Sequence, residues 1–121
     1  MRIFKYRAFR QWARKEDVSD SALKKAVDEM EDGLFDAKLG NGLYKKRVAR
    51  IGQGKRGGYR TILVFKEKER SVFMYGYAKN DRDNISDKEE IVYKKLAAYY
   101  LEISNKQLDA LIHAGELIEV K

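Results

Sequence analysis

Two stretches of the chain gather residue types suited to phosphate and base chemistry. The first is Gly52-Gln53-Gly54-Lys55-Arg56-Gly57-Gly58, with four glycines and two cations in seven residues. Glycine lets the backbone come close to a ligand and exposes N–H groups to an anion. The spacing is not that of a Walker A loop. Ala49 stands where its first glycine belongs, and Arg56 follows the Gly-Lys pair where Ser or Thr is needed. A flexible hairpin loop with incidental charge would carry the same residues. The second stretch is Tyr75-Gly76-Tyr77-Ala78-Lys79-Asn80-Asp81-Arg82-Asp83-Asn84. On a regular strand Phe73, Tyr75, Tyr77 and Lys79 share one face. Rings beside cations hold single-stranded nucleic acid, because bases stack on the rings and phosphates meet Lys or Arg. Phe73 reads as core, whereas Tyr75 and Tyr77 fit either a core edge or a stacking platform. Arg82-Asp83-Asn84 also fits a network that opens a helix.

The charge is concentrated around these stretches. The 121 residues carry a net +7, but residues 44–82 hold 12 basic and 3 acidic side chains, a net of +9. Residues 1–43 are near neutral, with 9 basic and 8 acidic, and residues 83–121 are acidic, with 5 against 8. Such asymmetry is the footprint of a polyanion partner. The cations lie on strands and loops, not on a basic amphipathic helix, so nucleic acid is favoured over a membrane surface. Lys45, Lys46, Arg47, Arg50 and Arg56 are the candidate RNA contacts.

Other chemistries are excluded by counting. The chain has no cysteine, which removes disulfides, thiolate metal sites and cysteine nucleophiles. Its one histidine, His113, cannot make an imaginable imidazole pair for zinc or for two-histidine ribonuclease chemistry. No cofactor and no metal are expected. His113 falls in the last turn of a helical pattern, where a structural role at the dipole's negative end is expected. No apolar run approaches a membrane span, and residues 1–7 lack a secretory signal, so a cytoplasmic protein is expected.

The elements that must position these residues follow from pattern. Ile3–Tyr6 reads as a short first strand, and Arg7–Lys15 as a helix with Phe9, Trp12 and Ala13 on one side. Ser21–Met30 reads as a second helix, stopped at Gly33. Residues 34–42 read as a connection with an Asn-Gly turn. Three strands follow at 43–50, 58–65 and 71–78, joined by residues 51–57 and by the charged turn 66–70. Such short joins require antiparallel pairing. A helix capped by Ser86 or Asp87, a second from Ser104 to Gly115, and a terminal strand or tail at 116–120 complete the chain. The expected fold class is α+β, a small antiparallel sheet flanked by N-terminal and C-terminal helices, in one domain over 1–121.

The run Arg47-Val48-Ala49-Arg50-Ile51-Gly52-Gln53-Gly54-Lys55-Arg56-Gly57-Gly58-Tyr59-Arg60-Thr61-Ile62, together with Tyr75–Ile85 and Leu108–Ile112, resembles a RelE-like subfamily of the RelE/ParE toxin superfamily, also described as HigB-like. The resemblance is most specific in the Gly-Lys-x-Gly-Gly-Tyr-Arg segment and extends over nearly the whole chain. It implies a toxin of a type II toxin–antitoxin pair, with a helix-turn-helix antitoxin partner and a toxin–antitoxin hetero-oligomer. It implies metal-free cleavage of mRNA on the ribosome. Some relatives of the same fold inhibit gyrase instead, and a non-catalytic nucleic-acid-binding module is the alternative. The working residues it implies are Lys55, Arg60, Tyr75 or Tyr77, Lys79 and Arg82.

That set is chemically sufficient. Metal-free RNA cleavage needs a base for the 2′-hydroxyl proton, a cation for the phosphorane charge and an acid for the leaving 5′ oxygen. The ordinary pKa values of Lys and Tyr, about 10.4 and 10, are far from neutrality. Neighbouring cations favour the less positive form of either. Lys55 beside Arg56 is the base candidate, and Arg60, with its phosphate-matched fork, the charge stabiliser. Tyr75 or Tyr77 is the acid or the stacking platform.

Overall fold

The computed structural model describes the backbone of residues 1–50 and 54–121, and all of their side chains except those of residues 50 and 54–57. The elements in chain order are β1 (Arg2–Tyr6), α1 (Arg7–Lys15), α2 (Asp20–Glu31), β2 (Ala37–Gly40), β3 (Leu43–Arg50), β4 (Gly54–Lys66), β5 (Arg70–Ala78), α3 (Asp87–Glu102), α4 (Asn105–His113) and β6 (Leu117–Val120). The six strands form one sheet in the order β2-β3-β4-β5-β1-β6. Neighbours are antiparallel except β1 and β5, which run parallel. The α+β architecture is as expected, with that one parallel pair added.

Helices cover both faces. α1 and α2 pack Phe9, Leu23, Val27 and Met30 against Val48, Leu63 and Phe73. α3 and α4 pack Ala97, Tyr100 and Leu108 against Phe4, Leu43, Ile62, Val64 and Met74. Burial on both sides explains why Ile62-Leu63-Val64-Phe65 reads as a continuous apolar run. Serine caps set the helix starts. Ser19 accepts from the Ala22 N–H, and Ser86 with Glu89 and Ser104 with Gln107 form reciprocal capping boxes. Gly33 and Gly115 stop helices at positive φ, +82° and +80°.

Three expectations are corrected. Residues 37–40, read as connection, form β2, a hairpin neighbour of β3 closed through Asn41 and Gly42 at positive φ. Residues 54–57, read as loop, already belong to β4, and Gly54 pairs with Arg50. The rest of that glycine-rich connection, residues 51–53, lies outside the described residues. Third, β5 does not keep a period of two. Ile62 pairs with Tyr75 and Leu63 with Phe73, so Met74 is an extra residue. This bulge reverses the alternation. Phe73 faces α1 and α2, while Tyr75 and Tyr77 face the opposite side.

Candidate nucleic-acid interface

The bulge puts Tyr75 and Tyr77 on the same face as Arg60. Arg60 pairs with Tyr77 across β4–β5 and with Arg47 across β3–β4, and Lys45, Ile62 and Tyr75 form the next row. Cross-strand partners share a face, so one side of the sheet carries Lys45, Arg47, Arg60, Tyr75 and Tyr77. Ile62 in the middle of this group is fully buried under the α3–α4 layer, and Arg60 is half-buried beyond it.

Tyr75 is the most constrained of these side chains. Its ring stacks on Tyr93 of α3 (6.0 Å between centroids) and lies 5.8 Å from Tyr77. Arg82 Nη1 donates to the Tyr75 hydroxyl at 3.0 Å. The guanidinium carbon is 5.6 Å from the Tyr75 ring and 6.0 Å from the Tyr77 ring. Arg82 is itself held on every side. Nη1 and Nη2 donate to the two Glu89 oxygens at 3.1 and 2.6 Å, and Nε to the Asn84 carbonyl at 2.9 Å. Glu89 also accepts the Ser86 N–H that opens α3. The Arg82 guanidinium and the Ser86 N–H hold the Glu89 carboxyl down at about 2. The same ion pair raises Arg82 further above its ordinary value. The network foreseen for Arg82-Asp83-Asn84 therefore exists, and it reaches one turn further, to Glu89.

Tyr77 differs. It is 3% exposed, and its buried hydroxyl has no hydrogen-bond partner among the described residues. Burial pushes this phenol up, and the nearby Arg60 and Arg82 charges offset that only in part. It stays protonated at neutral pH.

The remaining expected residues scatter. Lys46 is 4% exposed and points to the α2 side, where its Nζ pairs with Glu29 at 3.0 Å. That leaves it no surface to offer a phosphate. Arg47 is on the Arg60 face but pairs with Asp36 at 2.9 Å, and its N–H donates to the same carboxylate. Arg82, placed with the catalytic residues, is occupied by Glu89 and acts on Tyr75. Lys45 is half-buried and Lys79 exposed, and neither has an ion pair among the described residues. Among the described residues Arg60 Nη1 reaches only the Gly58 carbonyl, at 3.4 Å. The side chains of Arg50, Lys55 and Arg56 lie outside the described residues. His113 closes α4 as an exposed residue of its last turn.

Two contributors escaped the sequence reading. Glu89 stands in the sequence only as an acidic residue at a helix start, although its place seven residues after Arg82 is what lets it clamp the guanidinium. Trp12 was visible only as an apolar helix position. It packs directly on Gly76, where a Cβ would lie 2.2 Å from the indole, and edge-on to Tyr59 at 5.0 Å.

A mostly antiparallel sheet with helices on both faces, presenting cations and tyrosines along its strands, defines a small α+β protein of the RelE-like kind. The chain belongs to the RelE family: the model of the RelE toxin of the RelE/RelB toxin–antitoxin system matches residues 1–120. It is thus a toxin of a toxin–antitoxin system, and toxins of this family pair with RelB-type antitoxins. A search of the curated proteins found no match. Among the described residues, no helix is long and apolar enough to cross a membrane.

Proposed function

We propose that this toxin, one domain over residues 1–121, inhibits translation by cutting mRNA on the ribosome without a metal. One observation carries the reading: Arg60 and a Tyr75 hydroxyl oriented by Arg82 share one open end of a sheet face. Because Arg82 donates to the Tyr75 oxygen, the phenol proton of Tyr75 is left free to be given elsewhere. In the proposed step the 2′ oxygen of the substrate attacks phosphorus and its proton passes to Lys55. The P–O5′ bond breaks, and the departing 5′ oxygen takes the proton of Tyr75. The products are a 2′,3′-cyclic phosphate and a 5′-hydroxyl. Arg60 meets the charge on the phosphorane oxygens. The flanking phosphates are assigned to Lys45 and Lys79, with Arg50 and Arg56 added by their place in the sequence alone. Lys55 holds its role by its place in the Gly-Lys-x-Gly-Gly-Tyr-Arg segment.

The same reading makes the protein cytoplasmic, HigB-like, and the partner of a helix-turn-helix antitoxin in a hetero-oligomer. It is tested by incubating purified protein with translating ribosomes and mapping mRNA ends. New ends carrying 2′,3′-cyclic phosphate, absent with Arg60→Ala, are expected. Intact mRNA together with inhibition of DNA supercoiling would overturn the reading in favour of a gyrase inhibitor.

A further inference from the structure

Where β1 gives way to α1, the end of β5 loses its neighbour, since β1–β5 pairing stops at Lys5 and Phe73. The space beside this unpaired edge is a cavity of about 270 Å³. It is lined by Phe9 and Trp12 of α1, Gly76 and Tyr77 of β5, and Asp81 and Arg82 after it. Tyr75 also borders it. The volume falls just below the roughly 300 Å³ at which sites for drug-sized ligands begin. Its walls are aromatic, and its rim carries one carboxylate and one guanidinium. These are not equivalent. Arg82 is taken up by Glu89, Tyr75 and Asn84. The Asp81 carboxylate is exposed and has no partner among the described residues, while its own N–H is anchored to the Ala78 carbonyl at 3.0 Å.

We propose that this cavity takes one base of the bound RNA strand and that Asp81 selects guanine there. The occupant rests on the RNA-cutting reading above. Tyr75, Tyr77 and Arg82 border both the cavity and the Arg60 face, so a base held here places its phosphate beside that face. Aromatic walls accept the flat face of any base. The Tyr77 hydroxyl is buried, so discrimination falls to the exposed Asp81 carboxylate, and an ionised carboxylate only accepts hydrogen bonds. Guanine alone offers two adjacent donors, N1–H and the 2-amino group, matched to two carboxylate oxygens. Adenine and cytosine set a ring acceptor beside their amino group, and uracil sets its single N–H between two carbonyls. Each of these meets the carboxylate with a repulsive partner.

Trp12 is the one tryptophan of the chain, so its emission reports on this cavity directly. The full-length protein is titrated with the 2′-O-methyl trinucleotides UGU, UAU, UCU and UUU, which lack the 2′-hydroxyl and cannot be cut. UGU should quench Trp12 saturably and bind about tenfold or more tighter than the other three, as expected for a bidentate base contact. Asp81→Asn should keep its melting transition and lose that preference. Equal affinities, no quenching by any trinucleotide, or an undiminished guanine preference in Asp81→Asn would overturn the proposal. The RNA-cutting reading fails separately. A protein that prefers UGU but leaves ribosomal mRNA intact has the base site without the nuclease.

Discussion

Two neighbouring tyrosines on one face have opposite surroundings, and their hydroxyls should answer differently to deletion. The Tyr75 oxygen receives a hydrogen bond from Arg82, whereas the Tyr77 oxygen is buried and unpartnered. A buried polar atom left without a partner is destabilising, so Tyr77→Phe is expected to raise stability by about 1 kcal/mol. Cleavage should persist, because the group removed never reached the substrate. Tyr75→Phe should instead lower cleavage by roughly 10²- to 10⁴-fold, the usual contribution of a positioned proton donor. Melting curves and mRNA-end mapping on the two variants check both halves. The reverse pattern would move the acid to Tyr77. Arg60→Ala should lose about 10²- to 10³-fold while remaining folded, since Arg60 makes no ion pair among the described residues. At this scale residue types were legible and partners were not. Lys46 and Arg47 look like free cations in the sequence. Their carboxylates, Glu29 and Asp36, come from an earlier helix and from the residue before β2, and only the fold brings them together. For Arg60 and Lys79 residue type alone gives the charge state of the surroundings, because no carboxylate among the described residues folds back onto them.

The β5 bulge and the α3 N-terminus are where elements, not single side chains, set the site. The strand itself was plain from its aromatic run, yet its facing was not. An extra residue such as Met74 leaves no mark in composition, and a strict period of two then assigns Phe73 to the wrong face. β2 escaped for a different reason: four residues, one of them Gly40, are too few to show a period. The helices were legible because serine caps and glycine stops announce their ends. Gly76 is an element-level position sensitive to change, since a Cβ there would lie 2.2 Å from a rigid indole ring. Gly76→Ala should cost roughly 1–3 kcal/mol as overpacking and should alter Trp12 emission. Calorimetry and fluorescence on one sample test this. The α3 terminus carries a pH signature. Glu89 sits at about 2 in the folded chain, below its ordinary 4.5, so the unfolded state binds the proton more readily. Its contribution is complete above the ordinary value and is lost as the pH falls from there through about 2. The ion pair is about a third exposed, so water screens it and the loss is small. Acid melting curves of the native protein should fall more steeply over that range than those of Glu89→Gln; parallel curves would exclude the clamp.

Across the whole molecule the cationic middle third is less available than its net charge implies. Lys46, Arg47 and Arg82 are neutralised by carboxylates, and of the candidate cations whose side chains are described Lys45, Arg60 and Lys79 have none among the described residues. Three phosphate contacts to a single strand correspond to a slope of about −2 for log K against log salt, and each further contact from residues 50–56 adds about −0.7. Filter binding across a salt series measures it, and a slope near zero would remove the polyanion reading. The sheet order has a consequence for how the protein comes into being. β1 leaves the ribosome well before either of its partners, because β5 and β6 both lie later in the chain. Residues 2–6 therefore stay without a strand partner at least until β5 has been made. Phe4, which joins the layers under α3 and α4, has no core to enter until those helices exist. The sheet face that carries Arg60 and Tyr75 likewise gains its cover only when α3 and α4 have been made.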